Sequence, residues 1–145
     1  MSPEVFDDCM PRIQAVATQL GITLEMPNEI AGPRPSPPQP WVDVEVAAQS
    51  AGPMQIGYDA WNEEGQIFIH VMVPIGTGMR DALVQRKAFS TAFRGINVTT
   101  PDGLSYSDDQ SMDPLGPGGD DGVYRRLTLI VRYLWQDRLT APPPY

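Results

Sequence analysis

The chain has 145 residues with a formal net charge of −8, one histidine and one cysteine. That length suits one domain around one core, a single cysteine excludes an internal disulfide, and no apolar run approaches the ~20 residues that span a bilayer. A pI near 4.4 excludes a surface that grips nucleic acid by its phosphates, which takes clustered Lys and Arg.

The N-terminal stretch, MSPEVFDD, is acidic rather than charged-then-apolar, which points to synthesis in the cytoplasm without a signal peptide. Ser2-Pro3-Glu4 predicts a helix start, with a capping side chain, proline at the first position and an acid in the first turn. Phe6, Cys9, Met10, Ile13, Val16, Ala17 and Leu20 recur at three- and four-residue spacing, an amphipathic stripe that Gly21 closes. Pro11 inside it predicts a kink or a second start. Ile22 to Glu29 reads equally as a short extended piece or a turn.

Sixteen prolines are the compositional anomaly, clustered at 33–40 and in the tail at 141–145. Such runs favour polyproline II and cannot join a helix or a central strand. Trp41 to Val46 follows as a strand, with Val42, Val44 and Val46 on one face and Asp43 and Glu45 on a wet one. Gln49 to Pro53 reads as a turn and Met54 to Trp61 as a weaker strand. Asn62-Glu63-Glu64-Gly65 reads as a tight connection into the next strand, which makes the two antiparallel neighbours.

That next strand is the centre of the chain. Ile67, Ile69, Val71 and Val73 alternate with Gln66, Phe68, His70 and Met72, and two largely apolar faces predict cover on both sides. Pro74 ends it. Gly76-Thr77-Gly78 gives a turn, and a helix follows over about Met79 to Arg94. Its apolar stripe is Met79, Ala82, Phe89 and Phe93, with Leu83 at the edge, and Gly95 is placed to take positive φ past its end.

Ile96 to Thr99 reads as a short strand. Residues 101–122, rich in Asp, Gly, Ser and Pro, read as a long loop ordered only by a partner. Asp102, Asp108, Asp109, Asp113, Asp120 and Asp121 fall there without a Lys or Arg. Val123 to Gln136 predicts the longest strand, with Leu127, Leu129, Val131, Tyr133 and Trp135 on one face and Arg126, Thr128, Ile130, Arg132 and Leu134 on the other. At about 3.3 Å per residue it reaches roughly 45 Å, so part is expected to project or to pair with another chain. Arg125, Arg126 and Arg132, with Asp108, Asp109, Asp120 and Asp121, are the candidate interface residues. Opposite charges in adjacent segments suit neighbouring copies, although a solvated loop beside an ordinary strand reads the same way.

No reactive constellation is present. His70 lies between Ile69 and Val71, where a core or half-buried imidazole is the ordinary reading. Cys9 lacks a base or a metal-ligand partner at recognisable spacing. Gly76-Thr77-Gly78 could in principle cradle phosphate, but Asp81 stands where the dinucleotide fingerprint needs glycine. The aspartates lack the order of a calcium loop. Arg86 reads as a packed stem with its head at the core edge. No catalytic, cofactor-binding or metal-binding residue is assigned.

Taken in order, the N-terminal helix, Pro40-Trp41-Val42-Asp43-Val44, the apolar strand Gly65–Val73 closing in Pro74-Ile75-Gly76-Thr77-Gly78, and a helix ending Phe93-Arg94-Gly95 resemble the tail terminator family of long-tailed bacteriophages and gene transfer agents. The resemblance runs from about residue 1 to 135, and departs at the acidic 101–122 segment and the proline runs. It implies an α+β fold with a mixed, mostly antiparallel sheet flanked by the two helices, and a homo-oligomer, a hexameric ring. Such a ring caps the major tail tube protein, stops its polymerisation, and meets the neck or head-completion protein at the tail-neck junction of the virion. DNA passes through the lumen without specific binding, which acidic walls favour by repulsion. The family carries no catalytic residues. The alternatives are a head-completion or neck connector and, from another class, a small-molecule or nucleotide-binding enzyme using the Gly76–Gly78 turn.

Overall fold

In the computed structural model, residues 1–29, 32, 37–53, 60–94, 102–109 and 123–138 are described. Two helices and five strands follow in the order α1 (Pro3–Leu20), β1 (Thr23–Glu25), β2 (Trp41–Pro53), β3 (Ala60–Pro74), α2 (Arg80–Phe93), β4 (Leu104–Asp109) and β5 (Tyr124–Arg138). The strands form one sheet in the order β1-β2-β3-β5-β4. Only the β1–β2 pair is parallel. This is the expected α+β architecture.

The core forms because the helices and one sheet face are both apolar. Val5, Cys9, Met10, Ile13, Val16 and Ala17 of α1 and Ala82, Phe89 and Phe93 of α2 pack with Val42, Val44, Ile67, Ile69, Val71, Leu127, Leu129 and Val131. Val5 takes the place expected of Phe6, which is exposed. Leu83, expected at the stripe's edge, is exposed as well. Pro11 neither ends nor restarts α1. At the C-terminus Gly21 adopts φ 67°, and its N–H and that of Ile22 bond the carbonyls of Thr18 and Ala17, a glycine cap that closes the helix.

At the other end, the Ser2 side chain makes no cap bond. The backbone N–H of Ser2 donates to both oxygens of Glu63, at 3.0 and 3.2 Å, and the Met1 ammonium lies 3.5 Å away. Glu63 is 3% exposed. A buried carboxylate so engaged offsets the cost of its own desolvation and fixes the start of α1 against the sheet.

Four expectations need correction, and a fifth falls mostly outside the described residues. Gln49–Pro53 is not a turn and Asn62–Gly65 is not a connection. Both are strand, paired as Ser50↔Glu64, Ala51↔Glu63, Gly52↔Asn62 and Pro53↔Trp61, with a bulge between Ala48 and Ser50. Long-range pairing overrides the turn-like composition of these segments. The expected strand Met54–Trp61 is represented only by Ala60 and Trp61, which belong to β3, while 54–59 lie outside the described residues. The 101–122 segment is not wholly loop, because Leu104–Asp109 pairs with Ile130–Trp135. Finally, β3 is covered by helices on one face only, since both helices pack on the side of Ile67, Ile69 and Val71. The expected strand 96–99 and the Gly95 cap lie outside the described residues.

β5 is also less available than expected. It pairs with β3 along its whole length, from Pro74↔Tyr124 to Ala60↔Arg138. On its other side β4 meets only Ile130–Trp135.

Gly65 allows the lower half of this sheet to close. A Cβ there would lie 2.5 Å from the Tyr133 ring, whereas one at Gly52 would meet nothing within 4 Å. Gly65→Ala should therefore lower unfolding free energy by roughly 1–3 kcal/mol, and Gly52→Ala should stay within about 0.5 kcal/mol of the parent, as read by urea denaturation.

Candidate interaction surface

Strand alternation sends every second side chain of the sheet away from the helices, and the register sets these outward residues in rows. One row runs Trp41, Met72, Arg126; the next Asp43, His70, Thr128; then Glu45, Phe68, Ile130; then Ala47, Gln66, Arg132, Ser107. Read down the strands instead, β2 contributes Asp43 and Glu45, β3 Phe68 and His70, and β5 Arg126 and Arg132. Charge is thus sorted by strand across one face.

The upper end of the face holds an apolar cluster beside Arg126. Trp41, Met72 and Tyr124 form a small buried cluster apart from the main core, with Trp41 and Tyr124 edge-to-face at 6.1 Å. Below it His70, 7% exposed, ties three strands together. Its Nδ1 lies 2.8 Å from Thr128 Oγ1 and its Nε2 3.2 Å from Glu45 Oε2, with the ring stacked on Phe68 at 6.2 Å. With Nε2–H donating to the Glu45 carboxylate, Nδ1 is left to accept from the threonine hydroxyl. Glu45 is otherwise open, its side chain 64% exposed. His70 is a structural tie across the sheet.

Arg125, Arg126 and Arg132 are all exposed, and they make no ion pair among the described residues. Arg126 and Arg132 share the outward face; Arg125 points to the other. Asp108 and Asp109 stand at the end of β4, where the register sets Asp109 beside Ile130. The structure therefore brings the β5 arginines and the β4 aspartates onto adjacent strands. Asp120 and Asp121 lie outside the described residues. The acids that reasoning from the sequence left out are Glu25, Glu29, Asp43 and Glu45, which line an open depression of about 470 Å³ beside β1. Asp43 and Glu45 were legible as a wet strand face, but only the parallel pairing of β1 on β2 gathers all four. A second open depression, of about 320 Å³, lies at the lower end of the face between Glu64, Ser105, Ser107 and Arg132.

On the helix side the edge strand β4 is clipped in place. The Tyr106 hydroxyl donates to Asp8 Oδ2 at 2.6 Å, Arg12 bonds both Asp8 oxygens at 3.0 and 3.2 Å, and Phe93 packs edge-on against the Tyr106 ring at 5.0 Å. Burial, then the bond to Asp8, pushes the Tyr106 hydroxyl far above the usual phenol range.

The thiol of Cys9 is held in the core. Cys9 is buried and its thiol bonds the Phe6 carbonyl. Burial, followed by the Asp8 charge, pushes that thiol up to about 12, the opposite of an activated cysteine. Among the described residues no group of three or more His, Cys, Asp or Glu side chains has a metal-holding arrangement, and no helix is long and apolar enough to cross a membrane. At the Gly76–Gly78 turn both glycines have positive φ, 90° and 84°, and the Thr77 hydroxyl donates to the Pro74 carbonyl at 2.7 Å. The glycines thus serve the backbone of the turn.

Neither a family model nor a curated protein matches the chain. A solved structure whose name states no activity is similar in fold, with a TM-score of 0.65 at 15% identity, covering 96% of this chain and 99% of that one. At that identity the likeness extends to the fold.

Two outcomes follow. Tyr106→Phe, by leaving Asp8 short of one charge-assisted bond, should lower unfolding free energy by about 1.5–3 kcal/mol in urea. Alkaline pH should also destabilise the fold. Cys9 and Tyr133 are raised from ordinary values of 9.0 and 10.0 to about 12, by burial first and then by Asp8 and Glu63 respectively. The unfolded chain releases these protons earlier, so their contribution is whole below about pH 9 and declines as pH climbs towards 12. Urea midpoints measured across that window should fall, and Cys9→Ala should flatten part of the decline.

Proposed function

We propose that this chain is a structural, ring-forming protein of the tail terminator type, which caps a tail tube, halts its polymerisation and joins it to the neck of the head. The observation that carries this reading is the sheet's outward face, where acids and arginines stand on separate strands and no described element covers them. A surface of that kind is built to meet protein, and separated charges of both signs favour a partner carrying the same pattern. The order of elements from the N-terminal helix to the Phe93-Arg94 helix end supports the family resemblance, and the inert state of Cys9 and the structural bonding of His70 and Thr77 fit a protein that works by assembly.

On this reading the copies close into a hexameric ring, one side of which accepts the major tail tube protein and the other a neck protein. Head-to-tail closure uses two different patches on each subunit. The net charge of −8 lets DNA traverse the lumen without adhering, by like-charge repulsion. The protein then resides in the virion, at the tail-neck junction.

Mass photometry and sedimentation of the purified chain, alone and with tube protein, test this. The expected outcome is a closed ring that binds tube ends and limits tube length in electron micrographs. A chain that stays monomeric at every concentration and leaves tube length unchanged overturns the reading, and selective capture of a portal-side protein instead of the tube moves it to a neck connector.

A further inference from the structure

We infer that neighbouring copies of this chain join by setting the acidic β1–β2 flank of one, with the free edge of β2, against the β5 arginine strip of the next. This rests on the ring reading above and names the two patches that close it.

The first observation is an open strand edge. β1 pairs with Trp41–Asp43 alone, so from Val44 to Gly52 no described strand lies on the far side of β2. Edges of this length are normally shielded by lysine, proline or inward charge. Here Ala47-Ala48-Gln49-Ser50-Ala51 is uncharged and exposed, and small at every position but Gln49. Its one protective feature is the bulge between Ala48 and Ser50. Small side chains let another backbone approach closely, and the amide and carbonyl groups that no described strand pairs stay hydrated until it does.

The second observation is the placement of charge. Glu29 and Glu45 are exposed beside that edge, with Glu25 and Asp43 lining the same depression and no Lys or Arg among its lining residues. Arg126 and Arg132 lie on the opposite half of the sheet, about 20 Å apart along β5 at roughly 3.3 Å per residue. Arg126 stands above the stretch that β4 covers. A two-fold pairing of β2 edges would bring two copies of the acidic flank into one joint with no arginine of β5 to oppose them, which is unfavourable. A head-to-tail arrangement sets acid against arginine at every joint, and such an interface repeats until the ring closes. Exposed joints of this type are screened by salt.

The test uses charge reversal in the full chain, with circular dichroism to confirm folding. One variant carries Glu29→Arg and Glu45→Arg, the other Arg126→Glu and Arg132→Glu. Because Glu45 also bonds His70, Glu29→Arg is made alone as well. Each double variant should lose ring formation in mass photometry, with at least a tenfold weaker self-association, and Glu29→Arg alone should weaken it in the same direction. An equimolar mixture of the two double variants should restore rings, and raised salt should weaken the parent rings. Parent rings with variants that assemble unchanged, or with a mixture that fails to recover, overturn this joint while leaving the ring reading intact. A parent that stops at a two-fold dimer also overturns it. A parent that is monomeric with and without tube protein removes the ring reading itself.

Discussion

The pairing of β3 with β2 on one side and β5 on the other is the constraint from which the rest of the molecule follows. Its register is held over the full length of β3 against β5, and a slip of one residue would turn Ile67, Ile69, Val71 and Val73 out of the core and His70 into it. With that register in place, the apolar face must be covered, and the two helices supply the stripes that cover it. The same alternation forces the opposite set of side chains outward. One interaction therefore creates both the core and the outward face of the sheet.

Polar side chains then fix how the pieces sit. Glu63, carried inward by the same parity as the isoleucines, receives the backbone N–H of Ser2 and so aligns the first turn of α1. Asp8, one turn into that helix, receives the Tyr106 hydroxyl and the Arg12 guanidinium and so holds the edge strand β4. Both are carboxylates paired with donors, Glu63 buried and Asp8 half-buried, and removing a donor leaves either one short of a charge-assisted bond. His70 plays the equivalent part on the outward face, joining β2, β3 and β5 through Glu45 and Thr128. Glu63, Asp8 and His70 are thereby each held in a structural bond.

What is left over is a surface rather than a cleft. Its depressions are open and shallow, its charges are divided between β2 and β5, and the β2 edge beyond Asp43 faces no described strand. These features set the area, charge and open backbone that the proposed joint between copies uses. The shared fold with a solved structure at 15% identity fits the view that the architecture tolerates wide sequence change where register and alternation are kept.

The sequence by itself determined the elements whose signal is local. The 3.6-residue stripe of α1, the alternation of Ile67 to Val73, the stop at Pro74, the helix after the glycine turn, and the two faces of β5 were all legible, because each depends on neighbours within a few residues. The arginines and the wet acids of β2 were legible as exposed for the same reason. Only the tertiary structure decided that Ser50–Pro53 and Asn62–Gly65 are strand, that Leu104–Asp109 is an edge strand, that Glu63 is buried, and that Glu25 and Glu29 lie beside Asp43 and Glu45. Each of these depends on a partner far away in the chain, as with Ser2 and Glu63 or Asp8 and Tyr106, and no local propensity records where that partner will be.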